Sequence, residues 1–291
     1  MNTKSMSMKT IGTLAMAAAL LLSLAAGDIP VKDGEKIAFL GDSITQGGMG
    51  PTGYVSLVIH GLKTSGVSAT AIGAGISGHK SNDMLARLQR DVIDKKPDWM
   101  TLSCGVNDVW HGAKGVPLDA YQKNIAEIVD KAQAAGIKVM LLTATMIGEK
   151  ADEANNQKLE PYNDFLRKLA KDKKCLLADL NADMHQELDE REKAGGKRGT
   201  LLTSDGVHMN PRGNMMMAAG VLKGFGLEGA ALAKAKDAWL DIPGGATVSP
   251  QVKLTLRELQ ALETAAAKSG KSIQALLQEA LEKEVRSLLG K

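Results

Sequence analysis

Short apolar runs alternate along this chain with stretches whose apolar positions recur at helical spacing. The runs Lys36–Leu40, Ala69–Gly73, Trp99–Cys104, Lys138–Thr143 and Cys175–Leu180 have the length and texture of buried strands. Between them lie amphipathic segments near Tyr54–Lys63, Asn82–Asp94, Leu118–Ala135, Asn155–Lys173 and Ala182–Lys193, with Met215–Leu222 as a final helix. Five strands alternating with helices predict an α/β domain, a parallel sheet covered on both faces. In such a sheet, ligands bind beyond the carboxyl ends of the strands.

The pattern breaks at both ends. Lys4 and Lys9 precede an apolar run from Ile11 to Leu24, and Ala25-Ala26-Gly27 follows as a small-residue cleavage site. That order predicts a signal peptide over 1–27, and hence an exported protein, periplasmic or extracellular. The run is short of the roughly 20 residues a spanning helix needs, so stable membrane insertion is not expected. No cysteine follows it, which argues against lipid attachment. The α/β domain then occupies 28–242. Pro243-Gly244-Gly245 opens a linker over 243–251, and an appendage follows over 252–291. In the appendage Val252–Arg257 alternates like a strand. Thr255 and Glu258 form a capping-box pattern, Gly270 ends one helix, and Ser272 caps the next. Ile273, Leu276, Leu277, Ala280, Leu281, Val285, Leu288 and Leu289 give that second helix one apolar face. So short a piece cannot enclose a core. The face must dock on its own domain or form a homodimer through 252–291.

Composition narrows the chemistry. Aromatic residues make up only 3% of the 291 residues, which argues against a long ring-lined polysaccharide groove and for a small pocket. The formal charge of +3 falls to +1 once Lys4 and Lys9 are removed, so no general attraction to nucleic acid is expected. The two cysteines, Cys104 and Cys175, fall at the end of one strand run and the start of another, opposite ends of a parallel sheet, which predicts buried free thiols and no disulfide. No histidine pair has ligand spacing with a carboxylate or thiol, so neither a metal nor another cofactor is expected. His60 and His185 read as structural or solvated residues.

Four polar blocks carry the chemistry: Gly41-Asp42-Ser43, Gly75-Ile76-Ser77-Gly78, Gly105-Val106-Asn107-Asp108, and Asp205 with His208. Ser43 stands where a buried strand breaks into a Gly-flanked turn. A serine needs an oriented base to act as a nucleophile, and Asp205 with His208 can supply the base and its orienting group. Each block alone also suits an ordinary turn. The absence of a Gly-x-Ser-x-Gly elbow around Ser43 argues against the α/β-hydrolase fold.

In order and spacing the four blocks resemble the SGNH (GDSL-type) hydrolase family, over roughly Asp28 to Leu240. The resemblance implies a three-layer, flavodoxin-like α/β/α fold and a catalytic triad of Ser43, His208 and Asp205. It also implies an oxyanion hole made by the backbone N–H groups of Ser43 and Gly78 and the amide of Asn107. Asp42, His79, Trp110 and His111 are expected to line the substrate pocket. The activity implied is an exported serine esterase acting on small acyl esters, with carbohydrate O-acetyl esters first. Lipid, aryl or thioester hydrolysis is the alternative. Two positions depart from the family pattern: Gly73 where an Asn is frequent, and His79-Lys80 where an Asp-Thr pair is frequent. Both alter polarity beside the oxyanion hole.

The appendage resembles a ribbon-helix-helix module, from Lys253 to Val285. That resemblance raises a second class, a DNA-binding or purely structural dimer, with Lys253, Thr255 and Arg257 at the outward strand positions. The export signal and the interleaved Glu258, Glu263, Glu279, Glu282 and Glu284 oppose DNA binding.

Overall fold

The computed structural model describes residues 29–243 and 252–290. The segment read as a signal peptide and residues 244–251 of the linker lie outside the described residues. The chain divides into two compact units, 1–246 and 247–291.

The first unit is a parallel sheet of β1 (Lys36–Gly41), β2 (Thr70–Gly75), β3 (Trp99–Ser103), β4 (Lys138–Leu142) and β5 (Leu176–Ala178), in the order β2-β1-β3-β4-β5. Its helices are α1 (Ser43–Gly48), α2 (Tyr54–Thr64), α3 (Ser81–Asp91), α4 (Val106–Trp110), α5 (Leu118–Ala134), α6 (Ala154–Asp172), α7 (Leu180–Lys193), α8 (Pro211–Gly224) and α9 (Gly229–Leu240). The strand order explains the layers. The β1-to-β2 connection runs one way across the sheet, whereas β2-to-β3, β3-to-β4 and β4-to-β5 run the other way. Right-handed crossovers then place α2 on one face and α3, α5 and α6 on the opposite face. The packing agrees: α2 meets α8 and α9, and α7 meets α8, while α5 joins α3 to α6. Connections diverge between β1 and β3, so the topological switch point lies at their carboxyl ends, where Ser43 and Asn107 follow.

The core follows the apolar runs. Ile37, Ala38, Phe39 and Leu40 of β1 are fully buried at the sheet centre, as are Met140, Leu141 and Leu142 of β4. Met216 and Met217 pack into the core from α8. Cys104 and Cys175 are both free, at opposite ends of the sheet; Cys175 is only half-buried because β5 is an edge strand. The alanine-rich helix α9 carries too few large apolar residues to show a stripe in the sequence. It is fixed instead by Ala235 and by Trp239, whose Nε1–H donates to the Leu57 carbonyl at 3.0 Å.

The second unit holds α10 (Leu256–Ser269) and α11 (Ile273–Leu288). Thr255 and Glu258 form the capping box, Gly270 ends α10 at φ 66°, and Ser272 caps α11. Residues 252–255 form no strand, because a lone strand leaves its backbone groups unpaired. The apolar side chains Leu256, Leu277, Val285, Leu288 and Leu289 are exposed. Among the described residues no helix is long and apolar enough to cross a membrane.

Glycine at position 75 is what lets α1 lie against β2. A Cβ there would run into the backbone of Thr45 and Gln46. Gly75→Ala should therefore lower stability by about 1–3 kcal/mol in urea titration, as overpacked sites do.

Candidate active site

The site is built on segments that leave the carboxyl edge of the sheet. After β1 the chain turns into α1 at Asp42, which caps the helix by accepting the Ile44 N–H at 2.9 Å. A buried strand, a capping aspartate and a helix start place Ser43 in the first helical position. Its N–H and that of Gly78 have no acceptor among the described residues. Gly78 sits in a turn after β2 at φ 76°, a conformation that favours glycine, with open space where a side chain would stand. After β3, Gly105 at φ 134° starts α4 and delivers Asn107.

The fourth segment comes from far along the chain. Between α7 and α8 the backbone makes one isolated bridge, Thr203 with Met209, and the turn between them carries Asp205 and His208. Asp205 Oδ1 accepts the N–H groups of Val207 and His208, at 3.0 and 2.7 Å. Its Oδ2 lies 2.6 Å from His208 Nδ1. On the other side of the ring, His208 Nε2 is 2.9 Å from Ser43 Oγ, across 165 residues of sequence. Burial pushes the Asp205 carboxyl upward, but the bonds from the His208 ring and the two amides prevail and hold it at about 2. It is therefore a carboxylate at all ordinary pH values and fixes the proton of His208 on Nδ1, leaving Nε2 as the acceptor facing the serine.

Below this line lies a buried acidic layer. Asp42 is 3% exposed and Asp108 equally buried. Burial raises the Asp42 carboxyl to about 6, and burial also raises Asp108. Asn107 stands over this layer, its Nδ2 donating to the His79 carbonyl at 3.1 Å and, more weakly, to Asp42 Oδ2 at 3.4 Å. Asp108 accepts the Ser81 N–H at 3.0 Å and the Cys104 thiol at 3.4 Å.

The residues expected to line the pocket separate. Asp42 faces inward as a helix cap and a partner of Asn107, so it lies beneath the site rather than on its wall. His79 is half-buried, and its Nδ1 accepts from Arg87 Nε at 3.1 Å. Desolvation, then the Arg87 charge, lowers its pKa. Trp110 is 43% exposed, with its ring tilted against exposed His111 at 6.1 Å between centroids. Those two remain open to solvent at the end of α4.

Two supporting residues were not singled out from the sequence. Arg87, buried on α3, donates to the carbonyls of Gly41 and Ala74, both at 2.8 Å, and ties together the ends of β1 and β2. Glu149, in the loop after β4, is fully buried against residues 199–203. An arginine among the polar residues of a helix, and a glutamate between Gly148 and Lys150, both read as surface charges. Nothing local marks them otherwise.

An acetylxylan esterase of Geobacillus stearothermophilus is 28% identical over 218 residues, covering 68% of this chain and 97% of that protein. The crystal structure of the acetyl xylan esterase AlAXEase is 37% identical, with a TM-score of 0.61 over 65% of this chain and 98% of that one. The esterase TesA of Pseudomonas aeruginosa is 34% identical over 110 residues, 37% of this chain and 53% of that protein. The model of the GDSL-like lipase/acylhydrolase family matches residues 39–216, a span that takes in Ser43, Gly78, Asn107, Asp205 and His208, and the chain belongs to this SGNH family of carboxylic ester hydrolases.

Proposed function

We propose that the protein hydrolyses small acyl esters, with O-acetyl groups on carbohydrate as its substrate class, through a triad of Ser43, His208 and Asp205. The observation that carries this reading is the continuous line Ser43 Oγ, His208 Nε2, His208 Nδ1, Asp205 Oδ2, with gaps of 2.9 and 2.6 Å. Ser43 Oγ attacks the ester carbonyl carbon while Nε2 takes its proton. Asp205 offsets the charge that the ring acquires. The oxyanion is met by the N–H groups of Ser43 and Gly78 and by Asn107 Nδ2, whose longer contact, to Asp42, gives way as charge develops. The bond to the alcohol then breaks and His208 returns the proton to the leaving oxygen. A water deprotonated by His208 cleaves the acyl-Ser43 ester in the same way and restores the serine.

Acetyl specificity draws its support from the two acetylxylan esterases that match nearly their full lengths. Lipid, aryl or thioester hydrolysis is the second reading, its aryl form favoured by an arylesterase relative that matches over 110 residues. Trp110 offers an exposed ring face of the kind a sugar stacks on, at the end of the helix that bears Asn107.

Ser43→Ala should lower kcat by about a million-fold, to the background rate. Asn107→Ala should lower it by about 10²–10³-fold. Turnover retained in Ser43→Ala, measured on a chromogenic acetyl ester, would sink the triad. A panel of esters of increasing acyl length should show kcat/KM highest for acetyl and falling with each added carbon. A maximum at long chains would favour the second reading.

The acidic layer makes a separate prediction about pH. An ordinary aspartate titrates at 3.8, whereas burial raises Asp42 to about 6, so the folded protein holds this proton more tightly than the unfolded chain. Stability from this group is therefore greatest below about 4, falls as pH rises to about 6, and is level above, by the linkage rule. The loss is on the order of 3 kcal/mol, at about 1.4 kcal/mol per unit. Asp42→Asn cannot titrate. Its melting temperature relative to wild type should climb between about pH 4 and pH 6 and then stay constant, while its activity falls because Asn107 loses an acceptor. A relative melting temperature flat across that window would show that Asp42 is not held above its ordinary value.

A further inference from the structure

The segment that carries His208 has almost no regular structure to hold it. From the end of α7 to the start of α8 its ordered framework is the Thr203–Met209 bridge, with the Ser204 N–H donating to the His208 carbonyl at 2.8 Å. Those bonds shape the turn internally. They do not set where it stands relative to Ser43. The segment is tied to its surroundings at α8, where Asn214 Nδ2 donates to the Met209 carbonyl and Asn214 Oδ1 accepts the Tyr54 N–H, and at the loop after β4, where one side chain gathers most of the bonds.

Glu149 is 1% exposed, yet its carboxylate is fully engaged. Oε2 accepts the N–H groups of Gly199 and Leu201, at 2.7 and 2.9 Å. Oε1 accepts the N–H groups of Leu202 and Thr203, at 2.8 and 2.9 Å, and the Thr203 hydroxyl at 2.8 Å. Five donors from one stretch of chain converge on a single anion. Such charge-assisted bonds are about twice as strong as neutral ones, and a carboxylate is the side chain that offers only acceptors. Three further contacts act in the same place. Gly148 N–H donates to the Gly206 carbonyl at 2.7 Å, within the turn that carries the histidine. Arg198 Nη1 donates to the Glu149 carbonyl at 3.0 Å. From α6, Asn156 fixes the loop itself, accepting the Ile147 N–H at 2.8 Å and donating to the Ile147 and Lys150 carbonyls at 3.0 and 2.7 Å. A chain of bonds thus runs from helix α6 to the loop after β4, on to residues 199–203, and so to His208.

We infer that Glu149 is a positioning residue for the hydrolytic reaction: its buried carboxylate gathers residues 199–203 and thereby sets His208 at hydrogen-bonding distance from Ser43. The inference rests on the triad reading above. It separates two things the triad needs. The Asp205–His208 pair is assembled inside its own turn and does not depend on Glu149. The distance from His208 to Ser43 does.

Glu149→Gln tests it, because one of the two oxygens becomes an NH₂ that faces amide donors instead of accepting from them. At a temperature well below the melting point of each protein, kcat on an acetyl ester should fall about 10–100-fold, the scale of a misplacement near 1 Å. KM should stay within about twofold, because no substrate contact is lost. The rate at which a small fluorophosphonate labels Ser43 should fall in parallel with kcat. Trp239→Phe serves as the control for loss of stability alone. It removes the bond to the Leu57 carbonyl and should lower the melting temperature with kcat unchanged. A Glu149→Gln protein that melts lower but keeps wild-type kcat and labelling rate would overturn the inference. If that variant does not fold, Thr203→Val decides. It removes one of the five donors with little change in shape, and should cost kcat severalfold at constant KM; no loss of kcat overturns the inference. Ser43→Ala, run alongside, keeps the two readings apart. Turnover there sinks the triad, whereas an inactive Ser43→Ala beside a fully active Glu149→Gln sinks only the role of Glu149.

Discussion

Where the strands of a parallel sheet stop, their last carbonyls and the amides of the loops that follow are buried, and each must find a partner. This requirement governs the carboxyl edge of the molecule. Arg87 takes the carbonyls of Gly41 and Ala74. Asn163 closes a pair with Ala144, accepting its N–H at 2.8 Å and donating to its carbonyl at 3.0 Å. Asn156 does the same for Ile147, and Asp108 takes the Ser81 N–H. Glu149 takes four amides at once. Arg87, Asp108, Glu149, Asn156 and Asn163, all buried at or beside this edge, are thus partners of strand ends and irregular backbone. Leaving one such group unpaired costs about 1–3 kcal/mol, so the loops that carry the site are held in one arrangement by groups that never meet substrate.

The acidic layer under Ser43 is the less favourable side of that arrangement. Asp42 caps α1 and steadies Asn107, but it brings a carboxylate close beneath the place where an oxyanion would form. Burial works against that charge, raising the group to about 6. The cap would be satisfied by a neutral Asn or Ser. A carboxylate adds a second acceptor for Asn107, so the cost in stability accompanies the orientation of the proposed oxyanion donor.

The strands were legible in the sequence because parallel strands buried on both faces must be apolar throughout. The observed β1, β3 and β4 differ from the expected runs by a single residue at one end. β5 is shorter than the run Cys175–Leu180, because Asp179 already caps α7, its side chain accepting the Ala182 N–H. Helices α2, α3, α5, α6 and α7 were plain from their apolar stripes. Helices α1 and α4 were not, since elements of six and five residues show no period. Ser43, Asn107, Asp205 and His208 stood out because small and polar residues there interrupt apolar runs. Arg87 and Glu149 did not. Their burial is created by contacts with Gly41, Ala74 and residues 199–203, which are distant in sequence and come together only in the fold.

His79 shows how such a hidden contact changes the meaning of a visible residue. An arginine guanidinium has donors and no acceptor, so the bond from Arg87 requires Nδ1 of His79 to be unprotonated. The ring is then neutral and carries its proton on Nε2, in keeping with the lowered pKa that desolvation and the Arg87 charge impose. Meanwhile the His79 carbonyl accepts from Asn107. This chain holds a neutral group here, fixed at both its ring and its backbone. A carboxylate there would repel a developing oxyanion, while a neutral imidazole would not. A neutral ring thus adds no negative charge to the residue whose carbonyl holds Asn107, a proposed oxyanion donor. Burial is the main reason the ring stays neutral, and the Arg87 charge adds to it.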